Sequence, residues 1–210
     1  MEIIPAILTE DAQELAQKIR QVETFLNKAQ VDFMDQKFVP TKSITVQDLA
    51  DVKTTLELSA HLMVVNPEQY VEPLKESPVT EVAFHIEAVP DPSLVIEKIT
   101  KAGLKPTIAI NPETAVSEVY PILHKVSSIL FLSVYPGRSG SLFIPEVLRK
   151  VEAFKREKPE ITIGLDGGVK LDNFVEISRA PVDIVYVGSG LFGGDGPKKN
   201  FEAFKSLVTS

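Results

Sequence analysis

The sequence predicts an α/β fold, a single (β/α)8 barrel of the TIM type over residues 1–210. Three observations carry this expectation. Eight short β-rich runs alternate with amphipathic helical stretches, and parallel strands need such crossovers. No low-complexity linker or residue-level repeat interrupts the alternation. After the first run the chain reads AILTEDA, where an open dinucleotide-binding sheet usually carries G-x-G-x-x-G.

The expected strands are residues 3–7, 31–33, 56–62, 81–84, 107–110, 128–132, 162–165 and 184–187. Between them, residues 11–26 place Leu15, Ile19, Val22 and Phe25 or Leu26 on one helical face. Residues 92–102 open on a proline suited to a first turn and stop at Gly103. Residues 145–158, 171–178 and 201–208 read likewise as helices.

Composition narrows the function classes. Of 210 residues, 44% are hydrophobic and 24% charged, which is ordinary globular usage. The absence of cysteine excludes disulfide frameworks, thiolate metal sites and cysteine nucleophiles, and fits a reducing compartment. A net charge of -7 without a Lys/Arg cluster argues against nucleic acid or an anionic membrane as partner. No run reaches the roughly 18 apolar residues of a spanning helix, and the N-terminus does not read as a signal peptide. The expectation is a cytoplasmic protein, with homo-oligomer formation left open.

Chemistry in such a barrel sits where strands run into loops at the C-terminal rim. Taken in order from the second strand, that rim carries Asp32, His61, His85, Asn111, Ser133, Asp166 and Gly188-Ser189. Asp32 and Asp166, from opposite sides, suit paired acid/base work, one removing a proton and the other delivering one. His61 beside them makes a mixed oxygen and nitrogen set for a divalent cation, or else an interior histidine bonded to a backbone carbonyl. His124, in the helical stretch VYPILHK, reads as a surface residue. Two glycine-rich segments follow late strands, YPGRSGS at 135–141 and VGSGLFGGDG at 187–196. Glycines there let backbone N–H groups approach a phosphate, and a short helix after the last strand would aim its positive end at it. Arg138 either adds charge or is a solvated loop arginine.

The segments IIPAILTEDA, VDFMDQKFVP, AHLMVVNPEQY, FHIEA, INPET, SVYPGRSGSLFIP, LDGGV and VGSGLFG resemble, in order, those of ribulose-phosphate 3-epimerases. Related hexulose-phosphate 3-epimerases share most of them. The resemblance covers essentially the whole chain and implies a ribulose-phosphate-binding barrel. The implied reaction is a metal-assisted 1,1-proton transfer at C3 of D-ribulose 5-phosphate, giving D-xylulose 5-phosphate through an enediolate. By position it implies Asp32 and Asp166 as the proton-transfer residues, with Asp32, His61 and Asp166 around one divalent cation (Zn, Mn, Fe or Mg). Ala6, Met34, Met63, His85 and Ser133 fall at substrate-contact positions. Gly137, Ser139, Gly140, Gly167, Gly188 and Ser189 fall at the phosphate grip.

Four departures from the family pattern stand out. Gln30 replaces a ligand histidine, and its neutral amide oxygen would suit Mg or Mn better than Zn or Fe. Ala6 replaces the serine of a P-S-I-L motif. Gln36 and Lys37 replace the glycine and histidine of M-D-G-H-F, so a position favouring φ > 0 now carries a side chain; Asp35 is expected to shape that loop. YPGRSGS replaces an N/E-P-G-F-G-G-Q form. The alternatives are a hexulose-phosphate 3-epimerase, a non-catalytic sugar-phosphate-binding barrel, and a barrel lyase resembling hexulose-phosphate synthase.

Overall fold

Eight parallel strands close into one barrel in sequence order, β1 pairing with both β2 and β8. The computed structural model describes residues 1–137 and 140–208. The strands are β1 Glu2–Ile7, β2 Lys28–Met34, β3 Glu57–Met63, β4 Val79–His85, β5 Lys105–Ile110, β6 Ser128–Leu132, β7 Thr162–Asp166 and β8 Ile184–Val187. The helices are α1 Ala12–Val22, α2 Val46–Ala50, α3 Val71–Lys75, α4 Pro92–Lys101, α5 Glu146–Glu157, α6 Leu171–Arg179, α7 Ser189–Phe192 and α8 Pro197–Val208. No helix among the described residues is long and apolar enough to cross a membrane.

Strand parity separates core from site. Successive side chains point to opposite faces, and the outward set is apolar: Val31 and Phe33, Leu58, Ala60 and Leu62, Ile163 and Leu165 pack in the shell beneath the helices. The inward set is smaller and mixed. Ile4, Ala6, Ala83, Ala109, Leu130, Leu132 and Tyr186 form an inner cluster. On β2 the residues alternating with Val31 and Phe33 are Gln30, Asp32 and Met34, so the strand that builds the shell also delivers polar groups inward.

Helix ends follow local chemistry. Asp11 caps α1, its Oδ1 accepting from Gln13 N at 2.7 Å. The expected helix over 11–26 ends at Val22, because Phe25 and Leu26 turn back to bond the Val22 carbonyl while still packing on the core. Asp91 caps α4 ahead of Pro92, and Gly103 at φ +82° ends it, as expected. The segment holding His124 is a 3₁₀ stretch, Tyr120–Lys125, with His124 exposed. The short helices α2, α3 and α7 had no periodic signal long enough to expect, apart from the turn after the last strand.

The loop after β2 keeps the shape its sequence strains. Asp35 Oδ1 accepts from the Lys37 and Phe38 amides at 2.9 Å each, and Oδ2 accepts from Val65 N at 2.8 Å. Those amide hydrogen bonds outweigh burial and hold the Asp35 carboxyl below its usual range. Gln36 is held at φ +61°, its N–H donating to the Thr41 carbonyl. The loop therefore absorbs the loss of glycine as backbone strain, with no rearrangement out of the left-handed region. Because Gln36 is exposed, Gln36→Gly loses no packing. Relief of about 1–2 kcal/mol of left-handed strain set against about 0.5–1 kcal/mol of glycine entropy gives a net stabilisation of up to about 1.5 kcal/mol. Urea denaturation checks this, and a lowered midpoint would show that Gln36 is not strained.

Candidate active site

Three strands bring one buried polar cluster together at the C-terminal mouth. Asp32 on β2 lies in register with His61 on β3, Gln30 with Ala6 on β1, and Asp166 on β7 with Tyr186 on β8. Gln30 and His61 are 1% and 0% exposed, and each aspartate 8%. Gln30 Nε2 donates to Asp32 Oδ1 at 3.0 Å and to Asp166 Oδ2 at 2.7 Å, spanning the barrel. His61 Nδ1 stands 3.3 Å and 3.5 Å from the same two oxygens. One amide and one imidazole thus bridge the same carboxylate pair.

By its position, Gln30 is expected to offer its amide oxygen as a ligand. Its amide instead turns its nitrogen to the carboxylates, which is the orientation an acceptor-only partner demands. Ligand atoms of Asp32, His61 and Asp166 lie within 4.8 Å of one another and could hold a metal ion. Two carboxylates and one imidazole give the charge and donor mixture that a divalent cation takes.

Burial raises the Asp32 carboxyl above its usual range, with help from the Asp166 charge and against the His61 hydrogen bond. Burial opposes a charged His61, yet its hydrogen bonds to Asp166 and Asp32 prevail and raise it to about 9. Behind it, His61 Nε2 lies 3.1 Å from His85 Nε2, and His85 Nδ1 lies 3.2 Å from Glu87 Oε2. Burial keeps His85 below its usual value. Burial alone would raise Glu87, but hydrogen bonds from His85, Asn111 N–H and Thr114 bring it down to about 2.

The cavity above the pair collects most of the expected contact residues. Ala6, Met34 and Met63 line it, as do Gly137, Gly140, Gly167, Gly188 and Ser189. No Lys or Arg lines it among the described residues. Gly167, at φ +110°, passes so close to Val134 that a Cβ would sit 2.4 Å from Cγ2. Gly137, at φ +109°, rests on Val39, and its carbonyl accepts from the Thr41 hydroxyl, joining the loops after β2 and β6. Ser139 and Arg138 lie outside the described residues.

Two expected contacts sit elsewhere. Ser133 is fully buried and donates to the Asp166 and Gly167 carbonyls at 3.0 and 2.7 Å, which fixes the end of β7. His85 is fully buried behind His61 and does not line the cavity. Asn111 also lies off the cavity; its N–H donates to Glu87, while its Oδ1 is buried without a partner among the described residues. Sequence reasoning missed Tyr186, which lines the cavity floor, has its hydroxyl raised by burial and bonds Ser59. Its ring covers Gly164, where a Cβ would come within 3.0 Å of Cε2. It also missed Glu87, whose signal was the His-x-Glu spacing at the end of β4.

The raised His61 sets a direction for pH dependence. Its stabilisation is complete below 6.5 and lost as pH rises toward about 9. His85, held low, acts oppositely and loses its contribution as pH falls below 6.5. Chelator-treated protein is therefore expected to lose thermal stability between pH 6.5 and 9, and His61→Gln to flatten that limb. Melting curves across this range check it, and an unchanged limb in the variant would show that His61 is not the group responsible.

Comparison with known proteins gives the family. A model of the ribulose-phosphate 3 epimerase family matches residues 2–192. The chain is 32% identical to the cytoplasmic isoform of ribulose-phosphate 3-epimerase from Oryza sativa subsp. japonica, over 99% of this chain and 94% of the relative. It is 36% identical to ribulose-phosphate 3-epimerase of Mycobacterium bovis, covering 93% and 87%. Among solved structures, 3-hexulose-6-phosphate synthase from Salmonella typhimurium superposes with a TM-score of 0.73 at 13% identity, covering 100% of this chain and 99% of that one, a likeness of fold alone. The chain belongs to the ribulose-phosphate 3-epimerase family and is an isomerase of the epimerase kind.

Proposed function

We propose that the protein interconverts D-ribulose 5-phosphate and D-xylulose 5-phosphate, with Asp32 and Asp166 exchanging protons on opposite faces of C3. The observation that carries this reading is the meeting of two buried carboxylates from opposite walls of the barrel, bridged by Gln30 and His61. Inversion at carbon needs one group to take a proton and another to return one on the other side. The reaction runs both ways, so each aspartate serves in both roles. The burial that raises Asp32 favours a proton resting there, as a carboxyl that must deliver one requires.

A proton beside a ketone is weakly acidic, so negative charge developing on oxygen has to be stabilised. Asp32, His61 and Asp166 would hold a divalent cation, and that cation would supply electrostatic stabilisation. Gln30, donating to both carboxylates, keeps them from turning away from the substrate. Met34 and Met63 form an apolar wall that excludes water from C3. The glycine-lined side, with Gly137, Gly140, Gly167, Gly188 and Ser189, is where the phosphate sits, held by backbone N–H groups.

Purified protein supplied with Mn²⁺, Zn²⁺ or Mg²⁺ is expected to convert D-ribulose 5-phosphate to D-xylulose 5-phosphate. Asp32→Asn and Asp166→Asn should each cut kcat by about 10²–10⁴-fold or more, with sugar-phosphate binding largely retained. Full activity in both variants would overturn the acid/base assignment. No turnover with any of the three ions would overturn the proposed reaction.

A further inference from the structure

We propose that His85 and Glu87 are positioning residues that fix the tautomer of His61, so that its Nδ1 presents a lone pair to the space between Asp32 and Asp166. This rests on the assignment, made above, of His61 to a divalent cation. The hydrogen-bond chain has one consistent direction. Glu87 accepts at two sites already: its Oε1 takes the Asn111 N–H at 2.8 Å and the Thr114 hydroxyl. Its Oε2 faces His85 Nδ1 at 3.2 Å, and a carboxylate can only accept, so the His85 proton lies on Nδ1. A neutral imidazole carries a single N–H, which leaves His85 Nε2 as an acceptor. His61 Nε2, 3.1 Å away, is then the donor and keeps its proton, so a cation between the aspartates would displace the proton on Nδ1 and meet the His61 lone pair there.

The rings are locked in place as well as bonded. His61 and His85 stack with centroids 5.2 Å apart, and Phe38 packs on His85 at 4.9 Å. Phe38 belongs to the loop that Asp35 ties down, so the loop after β2 also holds this relay. Neither His85 nor Glu87 lines the cavity, so their effect on the cation travels through His61. A histidine ligand whose far nitrogen is held by a bonded partner is the arrangement in which the ligand tautomer is set from behind.

Long-range ¹H–¹⁵N spectra of the Zn²⁺-loaded protein read the tautomers directly. The chain has three histidines, and His124→Gln removes the exposed one. The expected spectrum shows His85 protonated only at Nδ1 and His61 only at Nε2; a proton on His61 Nδ1 or on His85 Nε2 would overturn the inference. In a second arm, Glu87→Gln keeps the shape of the side chain but removes its charge. Co²⁺ affinity should fall roughly 10–100-fold, with a changed visible absorption spectrum. Unchanged affinity and spectrum in Glu87→Gln, beside a wild type that binds Co²⁺, would overturn the inference and leave the proposed reaction standing. A wild type that binds neither Zn²⁺ nor Co²⁺ would overturn the cation assignment, and the inference with it.

Discussion

Two carboxylates buried side by side are the constraint on which the rest of the structure depends. Their facing oxygens belong to a set lying within 4.8 Å. Two unit charges no farther apart than that repel by at least about 3.5 kcal/mol at an effective dielectric of about 20. The barrel offsets that repulsion with donors placed between the charges. Gln30 spends both amide hydrogens on the pair, and His61 faces the same two oxygens. Each hydrogen bond to a charged group contributes about 1.5–3 kcal/mol, enough together to balance the repulsion. The same arrangement leaves the two carboxylates aimed at a common point, which is the geometry proton exchange on opposite faces needs.

The scaffold around this pair is built in layers outward. Ser133 fastens the end of β7 through the Asp166 and Gly167 carbonyls, so the strand that carries one aspartate is pinned from β6. Tyr186 fills the floor above Gly164 and closes the barrel interior beneath the cluster. On the other side, Asp35 ties down the loop after β2, whose Phe38 packs on His85. The strain at Gln36 is accepted there because three amide hydrogen bonds to one carboxylate outweigh it. The geometry of the cluster therefore depends also on Ser133 and Asp35, which do not line the cavity.

The eight-strand order was legible because apolar runs and crossovers recur at a regular spacing, and each expected strand has a counterpart. Asp32, His61 and Asp166 could be found because each interrupts an apolar run near a strand end, and the structure brings them together. Depth was not legible: His85 and Ser133 occupy equivalent places along their strands, but packing puts them behind the cavity wall. The orientation of Gln30 was hidden too, since an amide offers both a donor and an acceptor and only its neighbours decide between them. Tyr186 was camouflaged as one more apolar residue in IVYV, and Glu87 lay past the end of its strand, where no periodicity reports a contact. Helices of five residues, such as α2 and α3, are too short for an amphipathic pattern to appear.

The central claim is that Asp32 and Asp166 act as two separate proton carriers across one carbon. Mass or NMR analysis of C3 during early turnover in D₂O tests it most directly. Two monoprotic carriers predict that D-xylulose 5-phosphate forms with deuterium at C3 while the remaining D-ribulose 5-phosphate stays unlabelled. Product that keeps the original C3 hydrogen would mean that one group carries the proton from face to face, and would contradict the account.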